Sequence, residues 1–314
     1  MRRKLIALMF CLTGAANAAT ITSAEMPRPE GARHYLVASP EKPFAGKRPL
    51  VIVLHGHTGS ANLVFGKERL NAPMQHWLEI ADREQLLVIA PDGMKGSDEK
   101  RGWNDCRADA STNPKSDDVG FIGALIDKAI AENNADPSRV YVIGTSNGGI
   151  MAYRLGVELA PRLAAIASVA ALWPAKSLCP EPTQAMPLLL IHGTADKIVP
   201  YGGGEVGHFL LKGRGSAVSA DQTLAIWRKP LHLPDAAAKD EALPHQRESG
   251  DTSVRHFVWG QDQLEFYKVE GGGHSEPSIH HRMGWIAGAL LGAQNADFEL
   301  TEEAWRFFRD KRRQ

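Results

Sequence analysis

The sequence lacks most of the features that would assign a function by composition alone. It has no charge excess, with 36 Lys and Arg against 36 Asp and Glu. Its basic residues are interspersed with acidic ones except in the terminal RDKRRQ, which reads as a frayed, solvated end. That excludes the one-signed surface on which a nucleic-acid backbone would sit. The apolar stretch LIALMFCLTGA, residues 5–15, is too short to cross a bilayer as a stable helix. There is no H-E-x-x-H or comparable ligand spacing, so a metallohydrolase is disfavoured. Repeats, low-complexity segments and Pro-, Gly- or Ser-rich linkers between halves are absent. Three cysteines in 314 residues are too few for a disulfide framework.

What is present starts with an export pattern. MRRK is a positive n-region, the stretch after it an apolar h-region, and Ala16-Asn17-Ala18 a small-x-small cleavage site. The expected organisation is a signal peptide over 1–18 and one catalytic domain over 19–314. The expected location is secreted or periplasmic, with no membrane anchor. Cleavage after Ala18 removes three basic and no acidic residues and leaves a net charge of about −3. Cys106 and Cys179 then remain, an even pair that in an oxidising compartment suggests one disulfide; the alternative is two separate buried thiols.

Along the rest of the chain, strand-like and helix-like patterns alternate. HYLVASP, RPLVIVLHG, LLVIAPDG, DPSRVYVIG, LAAIASVAAL, MPLLLIHG and LEFYKVEGGGH read as strands. Several are unbroken apolar runs, as expected of strands buried on both faces. Between them, 73–85, DDVGFIGALIDKAIAEN, NGGIMAYRLGVELA, SADQTLAIWRK and HRMGWIAGALLGA read as helices. Asp117 or Asp118 caps the second of these, and the last is the expected final core helix. This alternation predicts an α/β fold, a mostly parallel sheet with helices on both faces. Residues 201–263 are the least regular part and read as loops or an inserted excursion.

In an open parallel sheet, ligands bind outside the carboxyl ends of the strands. Ser146 is expected at such an end, inside Gly144-Thr145-Ser146-Asn147-Gly148, a G-x-S-x-G between a strand and a helix. A serine hydroxyl needs a base, usually an imidazole held by a carboxylate. Of twelve histidines, only His274 directly follows the last strand, in a glycine-rich loop able to reach back over the sheet. His192 reads as a strand-end residue, His55 as part of a structural turn, and His280 and His281 as a surface pair. Asp196 is delivered by the loop after MPLLLIHG. The order Ser146, Asp196, His274 is the one expected of an α/β-hydrolase. The amide of Asn147, at a helix start, is one candidate oxyanion donor. The amide of His57, in the Gly-rich loop after RPLVIVLHG, is the other; the plainer reading of that loop is an ordinary turn.

RPLVIVLHGHTGS, DDVGFI running into DPSRVYVIGTSNGG, HGTAD and GGGH resemble the extracellular polyhydroxybutyrate-depolymerase and feruloyl-esterase-like group of α/β-hydrolases, over residues 49–285. The resemblance implies a serine esterase without cofactor or metal, with Ser146, Asp196 and His274 as its triad and a small or polymeric ester as its only partner. Alternatives are a feruloyl or acetyl-xylan esterase and, further off, a serine peptidase. Two departures stand out. Many members carry Trp-Pro soon after the histidine, whereas this chain reads Ser275-Glu276-Pro277. It also lacks the linker and polymer-binding domain of dedicated polymer degraders. Trp103 and Trp173 follow strands on the expected active face and either line the site or pack on loop and core. If Cys106 pairs with Cys179, the bridge ties those two loops together.

Overall fold

The apolar runs assemble as the alternation requires. In the computed structural model, which describes residues 19–68, 72–207 and 212–313, ten strands form one sheet. The leader over 1–18, and His208, lie outside the described residues. The strands are β1 (Thr20–Met26), β2 (Arg33–Ser39), β3 (Arg48–Leu54), β4 (Leu87–Pro91), β5 (Ala135–Thr145), β6 (Ala165–Val169), β7 (Leu188–Gly193), β8 (Lys239–Ala242), β9 (Ser253–Trp259) and β10 (Leu264–Glu270). Their order across the sheet is β1-β2-β4-β3-β5-β6-β7-β10-β9-β8. The stretch from β4 to β10 is parallel, and antiparallel strands flank it at both edges.

Strand side chains alternate between faces, so each central strand feeds two cores. Leu50, Ile52 and Leu54 of β3 join Val140 and Val142 of β5 on one face, under α3 (Asp118–Glu132), α4 (Asn147–Glu158) and α5 (Ala220–Arg228). Val51, Val53, Tyr141 and Ile143 point the other way, under α1 (Ala61–Val64), α2 (Trp77–Glu84) and α7 (Leu300–Phe308). Ser219 and Gln222 close a capping box on α5.

Asp117 is the cap of α3, accepting from the Gly120 amide at 2.9 Å. Asp118 does different work. It meets Arg33 of β2 at 2.6 Å with both side chains fully buried, and also accepts from the Asn104 amide and the Ser116 hydroxyl. Burial, partly offset by Arg33, raises its pKa. The pair fixes the loop after residue 102 against the front of α3.

Three expectations are corrected. The helix in HRMGWIAGALLGA, α6 (Trp285–Leu291), has no buried residue and leaves Trp285, Ile286 and Leu290 exposed. The final core helix is α7, whose Leu300, Ala304, Trp305, Phe307 and Phe308 are buried. The basic end is not frayed: the Tyr141 hydroxyl donates to the Lys311 carbonyl, and the Arg313 amide donates to the Ser138 carbonyl, each at 2.8 Å. Within the irregular 201–263, β8 and β9 extend the sheet, and β9 pairs with β10 along seven residues. Exposed Ser253 and Arg255 interrupt the apolar run of β9, which is why it does not read as a buried strand.

Cys106 and Cys179 form a disulfide, Cα to Cα 5.6 Å, across 73 residues of sequence. A loop of that length stabilises by roughly 4 kcal/mol in the chain-entropy model. Reduction should lower the Tm by about 10 °C at roughly 2–4 °C per kcal/mol. Alkylation without reductant should leave both residues unmodified; labelling of both in the denatured, unreduced protein would contradict the bridge.

Candidate active site

The centre of the site is a backbone crossing. A Cβ on Gly144 would lie 2.2 Å from the Gly148 carbonyl, and one on Gly148 would lie 2.4 Å from that of Leu54. Only glycine lets the end of β5, the start of α4 and the end of β3 pass so closely. The turn between them holds Ser146 at φ 55°, ψ −122°, a conformation that costs a non-glycine residue on the order of 1–3 kcal/mol. The Ser146 amide is held by the Val169 carbonyl at 2.8 Å. Its side chain lines a pocket of about 330 Å³ at the carboxyl edge of the sheet.

The loop after β7 and the loop after β10 meet beside that pocket. His274 Nδ1 lies 2.8 Å from Asp196 Oδ2, while Asp196 Oδ1 accepts the amides of Ile198 and Val199, both at 2.8 Å. Burial alone would raise the Asp196 pKa; the His274 imidazole and these donors outweigh it and hold the carboxyl below its ordinary value. An ionised carboxylate at Nδ1 orients the ring with Nε2 as the basic nitrogen. His274 lines the same pocket as Ser146. His192 is buried, with Nε2 at 2.9 Å from the Val199 carbonyl, and so braces the Asp196 loop.

The amides of His57 and Asn147 have no hydrogen-bond partner among the described residues. Both residues are held from behind. The Asn147 side chain accepts the Trp103 amide at 2.7 Å and donates to Asp105 at 2.5 Å. Asp105, fully buried, is clasped by Arg107 through Nε and Nη2. The His57 ring contacts the Arg214 guanidinium and sits 3.1 Å from Asp98, which pairs with Arg214 at 2.7 Å. His55 bonds the Gly56 carbonyl through Nδ1 at 2.7 Å and accepts the Gly93 amide at Nε2, which fixes its neutral tautomer. Burial pushes His55 down to about 4. Burial and Arg214 together push His57 down to about 4, against Asp98.

The two tryptophans are not in the pocket wall. Trp103 is fully buried and donates its indole N–H to the His55 carbonyl at 2.8 Å. Trp173 packs edge-on against Tyr153 and Trp227 in the core. The wall is instead aliphatic, formed by Leu63, Val64, Met74, Met283, Ala287 and Leu291. Asp105, Arg107, Asp98 and Arg214 escape sequence reading because the residues they hold, Asn147 and His57, are distant along the chain. GWNDCR offered a signal only in that an aspartate sits beside a cysteine whose loop is anchored.

Residues 33–222 match the family model described as Phospholipase/Carboxylesterase. NocK of Nocardia uniformis subsp. tsuyamanensis, a protein assigned to the esterases, is 30% identical over 270 residues, 82% of this chain and 75% of that protein. The poly(3-hydroxybutyrate) depolymerase of Ralstonia pickettii is 31% identical over 115 residues, 35% of this chain and 22% of its own length. Among solved structures, the acetyl xylan esterase from Aspergillus awamori superposes with a TM-score of 0.60 at 15% identity, covering 91% of this chain and 98% of that one.

Two outcomes are expected. Asp196→Asn should lower kcat by about 10⁴-fold with a small change in KM, because the amide selects the wrong imidazole tautomer; undiminished kcat would dismiss Asp196 as the orienting group. Separately, the unfolded chain protonates His57 near 6.5 and the folded one near 4. The unfolded state therefore binds more protons between those values, and stability falls as pH falls through that window. The urea midpoint should drop from pH 7.5 to pH 5, and drop less in His57→Gln; equal drops would show that His57 is charged in the folded protein.

Proposed function

The chain belongs to the phospholipase/carboxylesterase family of α/β-hydrolases, and from that premise we propose that Ser146, Asp196 and His274 make it a secreted or periplasmic serine esterase of short aliphatic esters, hydroxyalkanoates among them. The observation that carries this reading is the 2.8 Å contact of His274 with a buried Asp196 in the pocket that also contains Ser146.

The chemistry follows from the geometry. His274 Nε2 takes the Ser146 proton as Oγ attacks the ester carbonyl carbon. The carbonyl oxygen gains the negative charge and receives the amides of His57 and Asn147. As the tetrahedral species collapses, the C–O bond to the alcohol breaks and the alcohol leaves with the proton from His274. Water then gives its proton to the same nitrogen, attacks the acyl carbon and releases the acid, returning the proton to Ser146. Asp196 remains ionised throughout. Each amide donor is worth about 10²–10³ in rate.

The aliphatic wall favours a short saturated acyl chain over a feruloyl group, since among the described residues imidazoles are the only aromatic rings lining the pocket. Export is supported by the leader pattern and by the disulfide, which persists in oxidising compartments. Among the described residues no helix is long and apolar enough to cross a membrane.

The test is a panel of p-nitrophenyl butyrate, amorphous polyhydroxybutyrate, methyl ferulate and acetylated xylan. The butyryl ester and the polyester should be hydrolysed faster than the ferulate, and Ser146→Ala should lower kcat by about 10⁶-fold. Faster turnover of methyl ferulate would transfer the assignment to the feruloyl esterases; an active Ser146→Ala would remove the serine mechanism.

A further inference from the structure

The pocket contains one acid for which the acyl-transfer chemistry has no use. Glu276 lines it together with Thr145, Ser146 and His274. Its Oε1 accepts the Thr145 hydroxyl at 2.5 Å, and Thr145 is the residue before the nucleophile. The loop that carries it is pinned: the Glu276 carbonyl accepts Gln294 Nε2 at 2.7 Å, and the Ser275 hydroxyl donates to the Ala293 carbonyl at 3.0 Å. Burial, the larger effect, and Glu299 favour the neutral acid, while the Thr145 hydroxyl, His274 and the Met74 amide favour the anion; the pKa is raised. A carboxyl group can accept a hydrogen bond from a substrate hydroxyl in either protonation state.

Away from the serine, the imidazoles and the small hydroxyls of Thr58 and Ser275, the wall is apolar, formed by Leu63, Val64, Met74, Met283, Ala287 and Leu291. Such a wall separates substrates weakly, whereas a polar group that hydrogen-bonds a substrate hydroxyl discriminates against analogues that lack it. We propose that Glu276 is a specificity-determining residue that hydrogen-bonds a hydroxyl carried by the acyl chain, so that esters of short hydroxy acids are preferred over their alkyl analogues. Thr145 is its positioning residue. This rests on the esterase reading of the same pocket.

The experiment compares kcat/KM for methyl 3-hydroxybutyrate and methyl butyrate, by pH-stat, in the parent protein and in Glu276→Leu, Glu276→Gln and Thr145→Val. The parent should favour the hydroxy ester by about 10- to 100-fold. Glu276→Leu should bring the ratio of the two towards one, and Thr145→Val should lower it less. Glu276→Gln, close in shape, keeps a donor and an acceptor; it should fold even where the leucine variant does not and should retain an intermediate ratio. Ser146→Ala should silence both esters, which separates loss of the esterase reading from loss of this one. A parent with no preference, or a preference unchanged in both Glu276 variants, overturns the proposal. A parent inactive on both esters removes it together with the esterase reading.

Discussion

The site depends on how closely backbones can approach one another at the carboxyl edge of the sheet. Where β5 passes into α4, Gly144 and Gly148 leave no room for a side chain, and that crowding forces Ser146 into a positive φ. The same constraint recurs around the base. A Cβ on Gly193, at the end of β7, would lie 2.3 Å from the Gly272 carbonyl, and one on Gly273 would lie 2.2 Å from the Leu291 carbonyl. The loops bearing Asp196 and His274 are therefore laid directly on each other. Hydroxyl, imidazole and carboxylate come from three distant parts of the chain, yet all stand on backbone contacts that admit almost no slack.

A second layer holds the two free amides. Asn147 and His57 are each tied to a carboxylate, Asp105 and Asp98, and each carboxylate is neutralised by an arginine, Arg107 and Arg214. The two halves meet where Arg107 donates to the Arg214 carbonyl. Buried ion pairs give little net stability, because desolvation offsets their attraction. Their effect here is geometric, fixing two amides whose N–H groups have no partner among the described residues. Cys106 sits between Asp105 and Arg107, so the bridge to Cys179 anchors this layer from outside.

The legible parts of the sequence were those where one local pattern has one physical cause. Unbroken apolar runs became the central strands because both faces are covered. The serine between glycines marked a strand–helix junction, and the chain order of Asp196 and His274 placed them on later loops of the same edge. Where two causes give one pattern, the pattern misleads. WIAGALL is as apolar as a core helix, but α6 lies on the rim of the pocket, while the true final helix is masked by the charges of LTEEAWRFF. Trp103 and Trp173 follow strands on the active face, as wall residues would, yet burial of a large indole in the core prevailed. Asp98 and Arg214 are 116 residues apart, and nothing local marks either.

These differences divide the pocket into unequal halves. One side is the strained turn, the stacked loops and the ion-pair layer, mostly buried and multiply bonded. The other is α6, seven residues without a buried side chain, between Gly284 and a Gly292 at φ 91°. Free energies of local opening follow the number of buried apolar contacts, so the machinery that stabilises the reaction and the wall that meets the acyl chain stand at opposite ends of that scale. Glu276 lies between them, on the loop that joins His274 to α6. It is bonded to the rigid side through Thr145 and, through its own carbonyl and Gln294, to the segment that follows α6. A polar group placed at that seam is fixed in position relative to Ser146 whatever the helix does. A specificity determinant needs that property.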